Sequence, residues 1–175
     1  MTSVWIGHLR DVPDFPEPGI VFKDITPILS SATAFESAVG DLTALAEPLG
    51  ASAIVGVEAR GFIFGAPVAR QLGTGFVPVR KPGKLPRATR TESFELEYGS
   101  DSLEAHLDAV GAGQGVVIVD DVLATGGTAE ATCRLVEGLG GVVLGVVVLV
   151  ELGFLDGARR LGRHRVHSAL TLGGD

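Results

Sequence analysis

Two adjacent carboxylates, Asp120 and Asp121, follow the apolar run Val116-Val117-Ile118-Val119 and precede Val122-Leu123 and the small-residue stretch Ala124-Thr125-Gly126-Gly127-Thr128. Backbone N–H groups at the start of a helix, with the hydroxyls of Thr125 and Thr128, suit a phosphate, and glycines let the main chain come close to it. The two acids have a different use. They accept hydrogen bonds from vicinal sugar hydroxyls, and their charge favours a ribosyl group that turns cationic as its anomeric bond breaks. A phosphorylated sugar satisfies both halves. The segment lacks the GxxxxGK[ST] pattern of P-loop hydrolases and the GxGxxG of dinucleotide folds, so those readings lose support.

Two further places invite anions. Gly56-Val57-Glu58-Ala59-Arg60-Gly61-Phe62 follows a short apolar run and opens a helix, so its backbone and Arg60 can hold a second anion. Arg80, Lys81 and Lys84 stand just after Gly75-Phe76-Val77-Pro78-Val79, with Arg87 and Arg90 beyond them. Cations gathered at one point of an otherwise acidic chain call for an anion, and Arg80, Lys81 and Lys84 are favoured for it.

Elements of α/β type can position these groups. Apolar residues recur at three- and four-residue steps from Phe35 to Leu49, which predicts a helix that covers a sheet. The run 53–57 reads as a strand, 61–72 as a helix, 75–79 as a strand, 116–119 as a strand ending in the two acids, about 128–139 as a helix, and 142–150 as a strand. Short Val/Ile runs alternating with helices indicate parallel strands buried on both faces, because each parallel connection needs a crossover. Ligands of such sheets bind beyond the carboxyl ends of the strands, after Val57, Val79, Val119 and Val150. The polar stretch from Lys81 to Glu92, with Pro82, Gly83 and Pro86, is too long for a tight turn and is expected to be mobile.

Composition narrows the function classes. The 175 residues carry 14 Lys and Arg against 21 Asp and Glu, a net charge of -7, which argues against nucleic acid as the main ligand. With 46% hydrophobic and 20% charged residues, a single globular domain over 1–175 is expected. The longest apolar run, Val142 to Val150, falls far short of the ~20 residues that span a bilayer, so no membrane segment is expected. Cys133 is the only cysteine and has no partner for an intrachain disulfide; no charged-then-apolar leader opens the sequence, and the expected location is the cytoplasm. His164 and His167, amid Arg163 and Arg165, are read as solvated rather than as metal ligands, and the isolated His8 and His106 carry no reading.

VVIVDDVLATGGT resembles the phosphoribosyl diphosphate (PRPP) motif of the type I phosphoribosyltransferases, and similarity extends from about Leu9 to Leu161 with three motifs in the family's order. The resemblance implies that fold: a central, mostly parallel sheet flanked by helices, a small N-terminal hood over about 9–30 and a flexible catalytic loop over about 82–97. It assigns Ala124 to Thr128 to the 5-phosphate, Asp120 and Asp121 to the ribose, and Glu58, Ala59 and Arg60 to pyrophosphate, with a non-proline cis peptide at Glu58-Ala59. The stretch Phe94-Glu95-Leu96-Glu97-Tyr98-Gly99 resembles the loop of the adenine-specific branch, where Glu97 matches the acid that contacts purine N7 and Tyr98 its neighbour. A carboxylate there can take the proton the imidazole ring sheds as N9 attacks.

Phe15 to Pro27 resembles the same branch's hood, with Val21, Phe22 and Lys23 on the base; Leu152 is a further expected base contact. Lys23 stands where some relatives carry Arg, and Lys cannot reproduce a planar bidentate contact. The implied activity is purine salvage: PRPP and adenine give AMP and pyrophosphate, with Mg2+ held mainly by the substrate's own oxygens and no dedicated metal site, in a homodimer. Two rivals stand beside it: a transferase for another purine such as xanthine, and a PRPP-sensing regulator without turnover.

Overall fold

The computed structural model describes residues 3–95 and 100–173. The chain divides into two compact units, Met1–Asp41 and Leu42–Asp175. The expected hood lies in the first. There a 3-10 turn over Val4–His8 buries Trp5, whose indole N–H donates to Asp41 Oδ2 at 2.7 Å. β1 (Arg10–Pro13) and β2 (Val21–Asp24) pair antiparallel with Asp11 opposite Lys23. Their connection holds a cis Phe15-Pro16 bond, and Asp14 Oδ1 accepts from the Gly19 N–H at 2.8 Å. Asp24, just ahead of α1 (Thr26–Leu29), accepts from the Thr26 N–H and hydroxyl, and proline stands in the first turn where no donor is lost.

α2 (Ala32–Ala46) begins three residues before the expected helix, and its last expected turn is a 3-10 turn over Glu47–Leu49. Pro48 explains the change, because its ring and missing N–H stop an α-helix from continuing.

The second unit contains β3 (Ala53–Val57), α3 (Arg60–Leu72), β4 (Gly75–Val79), β5 (Thr89–Glu95), β6 (Ser100–His106), β7 (Gly115–Leu123), α4 (Gly127–Gly138), β8 (Val142–Leu152), α5 (Gly157–Arg160) and β9 (Val166–Leu172). Five strands form a sheet in the order β4-β3-β7-β8-β9, every neighbouring pair parallel. β3 is buried along its whole length, as a strand covered on both faces must be. The α/β expectation therefore holds, and the carboxyl ends of β3, β4, β7 and β8 carry the candidate residues.

Three differences from the sequence reading matter for the site. β7 does not end at the acids but continues to Leu123, so Asp120 and Asp121 lie within a strand rather than in the loop after it. Thr89 to Glu92, read as part of a mobile stretch, belongs to β5, which pairs residue by residue with β6 in an antiparallel hairpin. Only Phe94 of β5 is buried, with Leu103 and Ala105 of β6, so the polar faces hid the alternation. The tail histidines are not solvated: His164 Nε2 lies 2.8 Å from Glu137 Oε1, and His167 sits in edge strand β9 with a buried Nε2. Glu137 comes from α4, too distant in sequence to be counted as a neighbour. No helix among the described residues is long and apolar enough to cross a membrane.

Candidate active site

The 124–126 segment leaves β7 and turns directly into α4. Gly126 makes the turn with φ +82°, a left-handed conformation that side chains disfavour. The first intrahelical bond is Glu130 N–H to Gly126 O at 2.9 Å, which leaves the N–H groups of Gly127, Thr128 and Ala129 without helical acceptors. Thr125 is exposed and Thr128 half-buried, so both hydroxyls stand beside those donors at the positive end of the helix dipole.

The two acids behave differently. Asp121 is buried, and its Oδ2 accepts from Arg60 Nε at 2.5 Å. Arg60 is the first residue of α3, immediately after the Glu58-Ala59 peptide, which is cis as the resemblance implied. Asp120 Oδ1 accepts the Asp121 N–H at 2.9 Å. Burial, and after it the charge of Asp121, push the Asp120 carboxyl well above the usual carboxylate range. A ligand that supplies hydroxyl donors or a growing positive charge relieves that penalty.

Cations converge where β3 and β4 end. Arg80 grips Glu58 with a two-pronged contact, Nε to Oε2 at 3.0 Å and Nη2 to Oε1 at 3.2 Å, while its Nη1 donates to Lys84 O at 3.1 Å. The Lys81 N–H donates to Glu58 Oε2 at 3.1 Å, and the Lys81 ammonium pairs with Asp101 of β6. Hydrogen bonds from Arg80 and then from the Lys81 N–H hold the Glu58 carboxyl below its ordinary range. Lys84 is exposed. Arg87 instead pairs with Asp108, and Arg90 lies against Gly138 at the end of α4. The favoured trio is thus brought together, and Arg87 and Arg90 are engaged elsewhere.

Leu152 closes β8 with 9% of its surface exposed. In the first unit, Val21 is exposed and Phe22 meets the Phe15 ring edge-on, with centroids 5.2 Å apart. Lys23 Nζ is 2.6 Å from Asp11 Oδ1, the residue opposite it across the strands. Glu97 and Tyr98 lie outside the described residues. The sequence reading missed Asp101 and Asp11, the partners of two expected cations. The only signal for either was an acid within a polar run.

A family model for the phosphoribosyl transferase domain matches residues 34–167. The adenine phosphoribosyltransferase of Frankia casuarinae is 55% identical over 172 residues, covering 98% of this chain and 92% of the relative. That of Myxococcus xanthus is 56% identical over 165 residues, covering 94% and 90%. Among solved structures, adenine phosphoribosyltransferase from Thermoanaerobacter pseudethanolicus superposes with a TM-score of 0.93 at 53% identity, covering 95% of this chain and 97% of that one. The Saccharomyces cerevisiae enzyme, solved with an imino-altritol bisphosphate and adenine, gives 0.89 at 40% identity, covering 94% and 95%. A strand-to-helix loop with N–H groups free of helical acceptors, two acids before it and cations at the neighbouring strand ends thus coincide with relatives that span nearly the whole chain, and the chain belongs to the adenine phosphoribosyltransferases of the phosphoribosyl transferase family.

Proposed function

We propose that this protein transfers the 5-phosphoribosyl group of PRPP to N9 of adenine, giving AMP and pyrophosphate, as one enzyme domain with a hood over about 9–30 and a catalytic loop over about 82–97 whose 89–95 part is strand β5. The observation that carries the reading is the Asp120–Thr128 segment, two acids in strand and a loop opening α4, in a chain 55% identical to an adenine phosphoribosyltransferase. The N–H groups and hydroxyls of 124–128 hold the 5-phosphate, and Asp120 and Asp121 hold the ribose hydroxyls. The anomeric C–O bond breaks, its electron pair leaves with the diphosphate, and N9 forms the new bond to the carbon. Asp120 and Asp121 favour the positive charge that builds on the ribosyl ring.

Glu58, Ala59 and Arg60, with Arg80, Lys81 and Lys84, receive the departing diphosphate. Their existing pairs with Asp121, Glu58 and Asp101 keep these cations placed until an anion competes for them. Val21, Phe22, Lys23 and Leu152 meet the base; with its ammonium on Asp11, Lys23 reaches the base through its backbone and aliphatic stem. Glu97 accepts or stabilises the N7 proton, and Tyr98 stands beside it. No residue of the chain is assigned to Mg2+, which would be held mainly by the substrate's own oxygens. When bound, Mg2+ neutralises charge on the diphosphate. The working form is read as a cytoplasmic homodimer.

The test incubates the protein with PRPP, Mg2+ and, separately, adenine, hypoxanthine, guanine, xanthine, orotate or uracil, and measures pyrophosphate release. Release with adenine above all others is expected. Release with xanthine alone would sink the choice of base, and no release with any base would leave a PRPP-binding regulator.

A further inference from the structure

The phosphate loop rests on a part of the chain outside every motif that identified it. After β8 the chain passes through a 3-10 turn over Gly153–Leu155 and enters α5 at Gly157. Backbone meets backbone there. A Cβ on Gly157 would overlap the Ala124 carbonyl oxygen and come within 3.0 Å of Gly126 N, while a Cβ on Gly126 would lie 2.5 Å from Gly157 O. Three residues on, Arg160 Nε donates to Glu130 Oε2 at 2.7 Å, and Arg160 Nη1 lies 3.4 Å from where Gly127 would carry a Cβ.

Glu130 gives this contact an electrostatic meaning. It stands in the first turn of α4, where a carboxylate suits the helix dipole but repels a phosphate bound at the same N–H groups. Arg160 takes one of its oxygens, and Arg134 Nη1 lies 3.3 Å from the other. The short helix therefore packs against the loop backbone through Gly157 and quiets the opposing charge in the first turn of α4 through Arg160.

We propose that α5, through Gly157 and Arg160, is the positioning element of the phosphate loop: it sets where the N–H groups of 125–128 stand, and so the affinity for the 5-phosphate, without touching the substrate. This rests on the reading of 124–128 as the 5-phosphate site. The 5-phosphate does not change during the transfer, so its contacts bind ground state and transition state alike; weakening them raises KM and leaves kcat in place. Lost fold stability acts differently, lowering the active fraction and the apparent kcat with KM unchanged.

The experiment measures steady-state kinetics by pyrophosphate release, with Tm alongside, for Gly157→Ala, Arg160→Ala, Arg160→Lys, Thr128→Ala and Arg159→Ala. Arg159 is the control: its side chain is 83% exposed and pairs with Asp156 within the same turn, away from Glu130. KM for PRPP should rise about tenfold in Gly157→Ala and about threefold in Arg160→Ala, with kcat within about twofold, partial recovery in Arg160→Lys and no change in Arg159→Ala. If Gly157→Ala does not fold, Arg160→Ala and its Lys rescue carry the test. An unchanged KM for PRPP in the α5 variants, beside a raised one in Thr128→Ala, overturns the positioning role and leaves the phosphate reading standing. An unchanged KM in all of them overturns both.

Discussion

Asp120 and Asp121 are neighbours in sequence with opposite electrostatic situations. Asp121 is buried but answered by Arg60, whereas burial and the Asp121 charge push the Asp120 carboxyl upward. An acid whose folded pKa lies above its unfolded value holds more protons when folded. Its contribution to stability is greatest below the unfolded pKa of about 4 and falls as pH rises through the folded pKa. Asp120→Asn removes that loss. Melting curves should therefore show a Tm above wild type at about pH 7, with the gap narrowing toward about pH 4. The same variant should lose about a hundredfold in kcat/KM, because the charge that favours the ribosyl cation is gone. A Tm equal to or below wild type at neutral pH would count against this account of Asp120. Both acids were legible because they sit together in one run of chain; their difference was not, because Arg60 arrives from a separate helix.

At the scale of elements, the ends of β3, β4 and β7 deliver the site, and the β5–β6 hairpin attaches to it through β6. Arg80 and Glu104 exchange backbone hydrogen bonds of 2.9 and 2.7 Å, and the Asp101 carboxylate holds the Lys81 ammonium. Lys81 must leave Asp101 to reach a diphosphate. The pair is partly exposed, with 43% and 29% of its two side chains accessible, so the competition is modest. Asp101→Asn should lower the inhibition constant of pyrophosphate about two- to fivefold, measured against PRPP. An unchanged or raised constant would show that Lys81 does not serve the diphosphate. The pH sign is opposite to that of Asp120: the Lys81 hydrogen bond holds the Asp101 carboxyl low, so the pair's stabilisation is present above about pH 4 and lost as pH falls through the lower folded pKa. The hairpin itself escaped the sequence reading because among the described residues of its two strands only Phe94, Leu103 and Ala105 are buried, too few to show a period of two.

For the whole molecule, stability is concentrated in the centre of the parallel sheet. Val146 to Val150 of β8 are buried to within 1% of complete, and β7 lies beside them with Val116 to Val119. Leu149, fully buried, is a place where truncation leaves a cavity that close-packed neighbours cannot fill. Leu149→Ala should cost about 2 to 5 kcal/mol by denaturant unfolding, while KM for PRPP in the folded fraction stays near wild type. A loss under about 1 kcal/mol would mean that the sheet relaxes around the gap. The sequence by itself determined the parallel α/β order, since short β-branched runs bounded by turns and alternating with helices suit strands covered on both faces. It also made the 120–128 segment stand out as an anion-binding candidate, because its hydroxyls, glycines and acids are contiguous in the chain and need no folding to be recognised. Only the tertiary structure decided which charge answers which: Arg60 for Asp121, Glu58 for Arg80, Asp101 for Lys81, Asp11 for Lys23. It alone set Gly157 against Gly126. Such pairings depend on distances across space, and residue types along a chain carry that information only where the partners happen to be adjacent.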